Sequence, residues 1–409
     1  MASSPRPGAR LIGWLSLAQL VTWGSVFYTF AVLMEPLERE LGLSRAQSSL
    51  GFSLALLAEG LLAYPVGRWI DRGHERAVMT MGSLLVGLCL VLHSVVTTAG
   101  GFYMVWFGLG VGLSATLYPP AFAVVTRRFP HDFRRAIIAM TFLGGLASTV
   151  FIPLSAWLIH TLGWRHALWC LAALHIALCA PLHFVVLRNA PSGHRHNLLP
   201  TAPSRSSMAQ HLRSAPFLLL GLFIVLMMAV TAALPPHMVS LLREGGLAPG
   251  WVIAIPASIG LLQVLGRALL YFFEHHFDLH LANRLIPALI PLGLLALLAA
   301  PLFGDAQVWP VLLFVLLFGM GNGMLTIVKG TAIAEYVNKN HVASLNGALG
   351  LPQALARAGA PLLMGLLWSQ QAGYSYGLWL LLGLSVMGVS ALVVTQRLTQ
   401  RRKDGAAPR

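Results

Sequence analysis

Three ionisable side chains stand where such groups are costly. Glu59 lies in LLAEGLLAY, Arg267 in QVLGRALLY and Arg357 in ALARAGAP, each within a long apolar stretch. If those stretches cross a bilayer, an Arg near the centre of one costs about 2.5–3.5 kcal/mol on insertion scales, and such residues face a bundle interior or a watery cavity. The chemistry Arg offers there is anion binding. Its planar fork matches a carboxylate, and its high pKa keeps it charged when partly desolvated. Gln263, one turn before Arg267, and Asn322, in the glycine-flanked string GMGNGM, add neutral polar groups. The competing reading is internal neutralisation, each Arg being paired with an acid of the protein, Glu59 foremost. Glu59 itself is either a permanent ion-pair partner or a carboxyl that takes up a proton in a coupling cycle.

Those residues are placed by a chain built almost entirely of apolar runs. Of 409 residues 57% are hydrophobic and 10% charged, with a mean hydropathy of +0.74. About 25% charge is usual for a water-facing globular surface, and disorder needs low hydrophobicity, so both classes are excluded. A bilayer core takes roughly 20 apolar residues per helical crossing. Breaking the runs at charge, Gly and Pro clusters gives twelve spans near 11–34, 46–69, 77–98, 101–125, 135–160, 165–188, 215–242, 250–273, 282–302, 308–331, 341–368 and 374–396. Each is expected to be helical, because lipid leaves backbone groups no other partners, and no barrel-type alternation is present. The fold class is therefore an all-α polytopic membrane protein with twelve transmembrane helices. Residues 1–188 form one six-helix bundle and 215–396 a second. Between them 189–214, rich in Pro, Ser, His and Arg, reads as a linker, and 397–409 as a tail.

The net charge of +14 does not gather into the stripe that nucleic acid would require. It falls in short clusters between spans. Arg6, Arg10, Arg68, Arg72, Arg76, Arg127, Arg128, Arg134, Arg135, the linker, Lys329, Lys339 and the tail lie on one side, which the positive-inside rule makes cytoplasmic. Both termini are then expected in the cytoplasm of a plasma membrane, such as a bacterial inner membrane. Arg39, Arg45, Arg165 and Arg243 lie opposite, among Glu35, Glu38, Glu40, Glu244 and Asp305. The start at Leu11 reads as a retained span. The densest His groups, His194 with His196 and His275, His276 with His280, sit at span edges without metal-ligand spacing. No catalytic constellation, metal site, cofactor site or nucleotide-phosphate loop is evident.

Between the second and third spans the chain reads GRWIDRGHER, from Gly67 to Arg76. Gly67 suits close helix packing and Gly73 a turn with positive φ, while Asp71 can cap a helix or pair with Arg72, Arg76 or a basic residue of the next loop. This string resembles the loop signature of the major facilitator superfamily and falls at its expected place after the second of twelve spans. The resemblance covers the whole chain. It implies two pseudo-symmetric six-helix bundles, secondary transport by alternating access, and a latch role for Gly67, Asp71, Arg72, Gly73 and Arg76. The matching loop of the second half, FFEHHFDLHLANR, lacks the motif, and span five, TFLGGLASTVFIPLSAWLI, lacks the Gly-Pro string of drug/proton antiporters.

Within the superfamily the segment Trp23 to Arg45 and the span-eight Arg resemble the bacterial monocarboxylate and oxalate/formate porter branch. That likeness implies a small organic anion as substrate, with Arg267 and Arg357 as ligands and a proton as a companion ion. Spans one, four, seven and ten would line the cavity, which adds Gln19, Trp23, Tyr28, Tyr118 and His237 to Asn322. Family packing also sets span two beside span eleven, so a Glu59–Arg357 contact between halves is the alternative to substrate binding. Export of hydrophobic or amphipathic compounds is the rival transport reading. A membrane enzyme or receptor is the remote one.

Overall fold

The structure, a computed structural model, describes residues 7–129, 133–188, 210, 212–273, 279–337 and 342–405. Among them the chain is helical, with one isolated bridge between Ser369 and Gly373 closing a turn. Nine helical stretches of the described residues are long and apolar enough to cross a membrane. Two of them, Arg45–His93 with 49 residues and Ala136–Val186 with 51, are each long enough for two crossings. They turn where glycine takes a positive φ, 92° at Gly73 and 78° at Gly163. The helix Val342–Leu367, which carries Arg357, completes the twelve spans.

Local signals explain several helix ends. Ser44 caps the helix Arg45–Trp69 in a reciprocal box, its hydroxyl taking the Gln47 N–H while the Gln47 side chain takes the Ser44 N–H. Thr98 caps Ala99–Thr116 by accepting from the Gly101 N–H. The fourth span breaks at Leu117 (ψ −169°) and restarts at Tyr118 with two prolines in its first turn, where missing N–H groups cost nothing. Gln19 of the first span donates its Nε2 to the Thr116 carbonyl at 2.7 Å, so the polar group beside the break is satisfied from a neighbouring helix. The Pro235-Pro236 pair, by contrast, lies inside the uninterrupted helix Ala215–Glu244.

Packing resolves the chain into two compact units. The first contains Met1–His194, Leu234–Leu261 and Pro361–Leu366; the second contains Arg195–Ala233, Leu262–Ala360 and Leu367–Arg409. In the first, Phe30 stacks on Phe52 at 4.7 Å and meets Trp106 edge-on at 4.8 Å. These aromatic pairs add about 0.5–1.5 kcal/mol each beyond their buried area. Glycines bring helices into backbone contact. A Cβ on Gly110 would stand 2.7 Å from Ala55 Cα, and one on Gly266 of the second unit 2.7 Å from the Met320 carbonyl oxygen. Gly67 does not belong to this set. A Cβ there would meet nothing within 4 Å, so its expected role in close helix packing is corrected.

Candidate functional site

In the second unit the eighth and tenth spans cross at glycine. A Cβ on Gly323 would lie 2.7 Å from Gln263 Cα and 2.8 Å from its carbonyl carbon, so only glycine lets the two backbones touch. This crossing gathers three of the residues singled out in sequence. Gln263 is buried and Asn322, beside Gly323, half-buried. Arg267, half-buried one turn beyond Gln263, directs its Nε to the Gly323 carbonyl at 3.4 Å. Arg357 is half-buried in the helix Val342–Leu367 and lies within electrostatic range of Lys329 on the tenth span. Chemically this is a group of cations and amides on closely packed helices, suited to holding an anion.

In the first unit the aromatic candidates meet. Trp23 and Tyr28 bound a π-helical turn, Trp23–Tyr28, of the kind often found at functional sites. The turn closes with the Thr29 N–H on the Gly24 carbonyl at 3.0 Å, and the Thr29 hydroxyl reaches the same oxygen at 2.9 Å. Trp23 packs on Tyr118 at 5.4 Å and on Phe27 at 5.1 Å, and Tyr118 stacks on Phe122 at 5.1 Å. Gly144 makes room for the Tyr118 phenol end, whose Cζ would be 3.1 Å from an added Cβ. Trp23, Tyr28 and Tyr118 all keep partial exposure. Gln19 and His237 do not. Gln19 is held on Thr116, and His237, fully buried, lies between the Pro361 carbonyl at 2.9 Å and Ser49 Oγ at 3.5 Å. Glu59 is 5% exposed within Arg45–Trp69.

The loop after the second span is organised around an acid that sequence reasoning passed over. Glu75 is fully buried and holds Arg127 at 3.2 Å and Arg128 at 2.7 Å. Arg127 also donates to the Ile70 carbonyl, and Arg128 to the Leu187 carbonyl at 3.0 Å. Arg76 donates to the Phe184 carbonyl at 2.8 Å and lies 3.7 Å over the Phe184 ring. Gly73 does take the positive φ of a tight turn. Asp71 and Arg72 are exposed, and no ion pair to Asp71 is among those of the described residues. Arg127 and Arg128 therefore go to Glu75 rather than Asp71. No local pattern marks Glu75, because its partners lie 52 and 53 residues away in the chain.

At the opposite end of these helices a second charged network forms. Arg45 bridges Glu38 at 3.0 Å and Glu244 at 3.2 Å, Arg243 pairs with Glu35, and Arg165 with Glu40 at 2.7 Å. These are four of the five acids seen beside the four arginines in sequence; the fifth, Asp305, is exposed. Three further buried imidazoles, His93, His175 and His183, escaped sequence reasoning. His175 meets Ser25 at 2.7 Å and His183 meets Ser83 at 2.9 Å. Among the described residues no group of three His, Cys, Asp or Glu has metal-binding geometry. The histidines 194, 196, 275 and 276 lie outside the described residues.

The model of the Major Facilitator Superfamily matches residues 15–279, more than half of the chain. The chain belongs to the major facilitator superfamily. No curated protein matches it. Among solved structures it is similar to a bacterial homologue of the human lysosomal transporter Spinster in an inward-facing, unoccupied conformation. That likeness has 16% identity, 98% of this chain and 99% of that one covered, and a TM-score of 0.74. It is also similar to the nucleoside transporter NupG, with 16% identity, 95% and 99% covered and a TM-score of 0.71. At such identity the likeness is one of fold. Family and fold together make this superfamily member a multi-pass membrane transporter of small molecules and not an enzyme.

Proposed function

We propose that this chain moves a small organic anion, such as a monocarboxylate, by alternating access, as the likeness to the monocarboxylate and oxalate/formate branch implies. The observation that carries the reading is the crossing of spans eight and ten at Gly323, which sets Arg267, Gln263 and Asn322 together. Anion binding explains why a guanidinium is retained there despite its insertion cost. Arg357 is the second anion ligand. Glu59 takes either the coupling proton or an ion-pair role. Residues 1–188 and 215–396 serve as the two six-helix bundles joined by the linker 189–214. The loop Gly67–Arg76 serves as their latch, with Glu75 as its anchor. The positive-inside distribution supports a bacterial inner membrane with both termini and the tail 397–409 cytoplasmic.

The test is counterflow in proteoliposomes with labelled carboxylates, comparing the native protein with Arg267→Gln. Exchange of an anion that disappears in the variant supports the reading. Absence of any anion exchange by folded protein overturns it. A second reading, export of amphipathic compounds, draws support from the Trp23, Phe27, Tyr118 and Phe122 cluster. It predicts that hydrophobic cations compete for the protein and that Arg267→Gln leaves their binding intact.

A further inference from the structure

The fifth span touches the eighth at its backbone. Thr149 donates its hydroxyl to the Ala257 carbonyl at 2.7 Å, and the same oxygen accepts the Leu261 N–H at 3.1 Å. Ala257 and Leu261 stand at i and i+4 in the helix Pro249–Phe273, so these two groups are the ones an undisturbed helix pairs with each other. One side chain of span five therefore takes a share of both ends of one rung of span eight. All three residues belong to the first unit. In sequence this stretch of span five, TFLGGLASTVF, is notable only for lacking a Gly-Pro string.

The surroundings are built for this contact. A Cβ on Gly260 would lie 2.6 Å from the Gly145 carbonyl oxygen and from Ser148 Oγ, and 2.7 Å from Thr149 Oγ1, so only glycine admits span five here. Pro256 lies inside the same helix and brings no N–H, which leaves the Val252 carbonyl without its i+4 donor. A proline and a side chain set into the ladder are two of the few causes of helix bending, and here they fall side by side. Ser148 gives the contrast. Its hydroxyl is buried in the same contact and makes no hydrogen bond among the described residues.

Beyond this rung the same helix carries the candidate site. Gln263, packed on Gly323, comes two residues after Leu261, and Arg267 comes six after it. Six residues are about 9 Å of helix, so a change of bend of about 10° at the rung moves Arg267 by about 1.5 Å. Displacements near 1 Å already spoil a polar site. We infer that Thr149 is a positioning residue of the anion site: its hydroxyl, held in the ladder of span eight at Ala257 and Leu261, fixes the bend at which that helix presents Gln263 and Arg267. The inference rests on the anion reading of Arg267 above and adds to it a residue of span five that itself touches no substrate.

The experiment is counterflow in proteoliposomes with labelled lactate, oxalate and succinate, read as half-saturating concentration and as maximal rate per reconstituted protein. Native protein is compared with Thr149→Val, which keeps the shape and drops the hydroxyl, and with Thr149→Ser, which keeps the hydroxyl. Ser148→Ala alters the same contact without touching the ladder. Each variant is shown to be monodisperse, and Thr149→Ala replaces the valine variant if that does not fold. In Thr149→Val the half-saturating concentration of the exchanged anion should rise about tenfold, in keeping with a weakened charged hydrogen bond, while Thr149→Ser and Ser148→Ala keep the native value. A maximal rate that falls in Thr149→Val with the half-saturating concentration unchanged makes Thr149 structural only. That result overturns the inference and leaves the anion reading standing. A rise of the same size in Thr149→Ser or in Ser148→Ala also overturns it, because packing and not the ladder hydrogen bonds would then set the site. No exchange of any of these anions by native protein overturns both readings.

Discussion

Glu59 and Arg267 occupy matching positions in the two halves of the chain. Glu59 is one turn beyond Ala55, and Arg267 one turn beyond Gln263. Ala55 and Gln263 are in turn the residues whose backbones lie against Gly110 and Gly323. An added Cβ would stand 2.7 Å from Cα and 2.8 Å from the carbonyl carbon in both places. Opposite charges therefore stand one turn beyond equivalent backbone contacts in the second and eighth spans. A residue duplicated in backbone setting but reversed in charge has a different task in each half.

That difference gives the first prediction. If Glu59 carries the coupling proton, Glu59→Gln abolishes uptake driven by a pH gradient while exchange without net proton movement persists. Arg267→Gln loses both. Parallel measurement of gradient-driven uptake and counterflow in the same vesicles checks this, and an equal fall of both activities in Glu59→Gln assigns the residue to an ion pair instead.

Gly323 makes a sharper structural prediction because the atoms opposite it are backbone and cannot swing aside. Gly323→Ala forces the eighth and tenth spans apart and should destabilise by about 1–3 kcal/mol, the usual cost of overpacking. Gly347, inside the helix Val342–Leu367 with nothing within 4 Å of an added Cβ, supplies the contrast. Gly347→Ala should raise stability by about 0.5–1 kcal/mol through helix propensity. Thermal unfolding of the purified variants in one detergent separates the two signs.

For the latch loop the structure ranks two acids that sequence did not. Glu75 is fully buried between Arg127 and Arg128, and Asp71 is exposed. Removing one partner of a buried charge cluster leaves the others uncompensated, so Glu75→Gln should cost about 3–5 kcal/mol. Asp71→Asn should change stability by no more than about 0.5 kcal/mol. Midpoints of thermal unfolding report both, and the opposite ranking would return the anchoring role to Asp71.

These cases show what could be read from residues alone. Span number and helical class followed from the length and apolarity of the runs, which a bilayer constrains so strongly that little else matters. Arg267, Gln263 and Asn322 were legible because polar groups in apolar runs are conspicuous, and GMGN announced a close approach. Glu75 was not, since its burial comes from arginines 52 and 53 residues away, a contact no local pattern encodes. Lys329 was hidden by its nearness to a span end, where a cation ordinarily sets topology. Gly67 misled in the other direction, because a glycine in a motif need not be a contact. The π-helical turn at Trp23–Tyr28 has no sequence signature, yet it sets where Trp23 points.

The last prediction concerns the charged end of the first unit. Arg45 is 8% exposed and joins Glu38 of the first span to Glu244 at the end of the seventh. Beneath it Gly365 packs on Ser49, with an added Cβ only 2.8 Å from the Arg45 carbonyl oxygen. Arg45→Gln leaves two carboxylates facing one another without their shared cation, and like charges at such range disfavour the closed packing. The packing of spans two, seven and eleven at this end should then loosen. A cysteine placed at Ser49, after Cys89, Cys170 and Cys179 are replaced, reports it through labelling by a membrane-impermeant thiol reagent. Labelling should be slow with Arg45 present, since Ser49 is fully buried, and should accelerate at least about tenfold in Arg45→Gln, the equivalent of about 1.4 kcal/mol. Arg45→Lys, which keeps a charge but not the fork that spans two carboxylates, should fall between them. Equal labelling rates in all three would mean that the small-residue packing at Gly365 holds this end closed without the ion pairs.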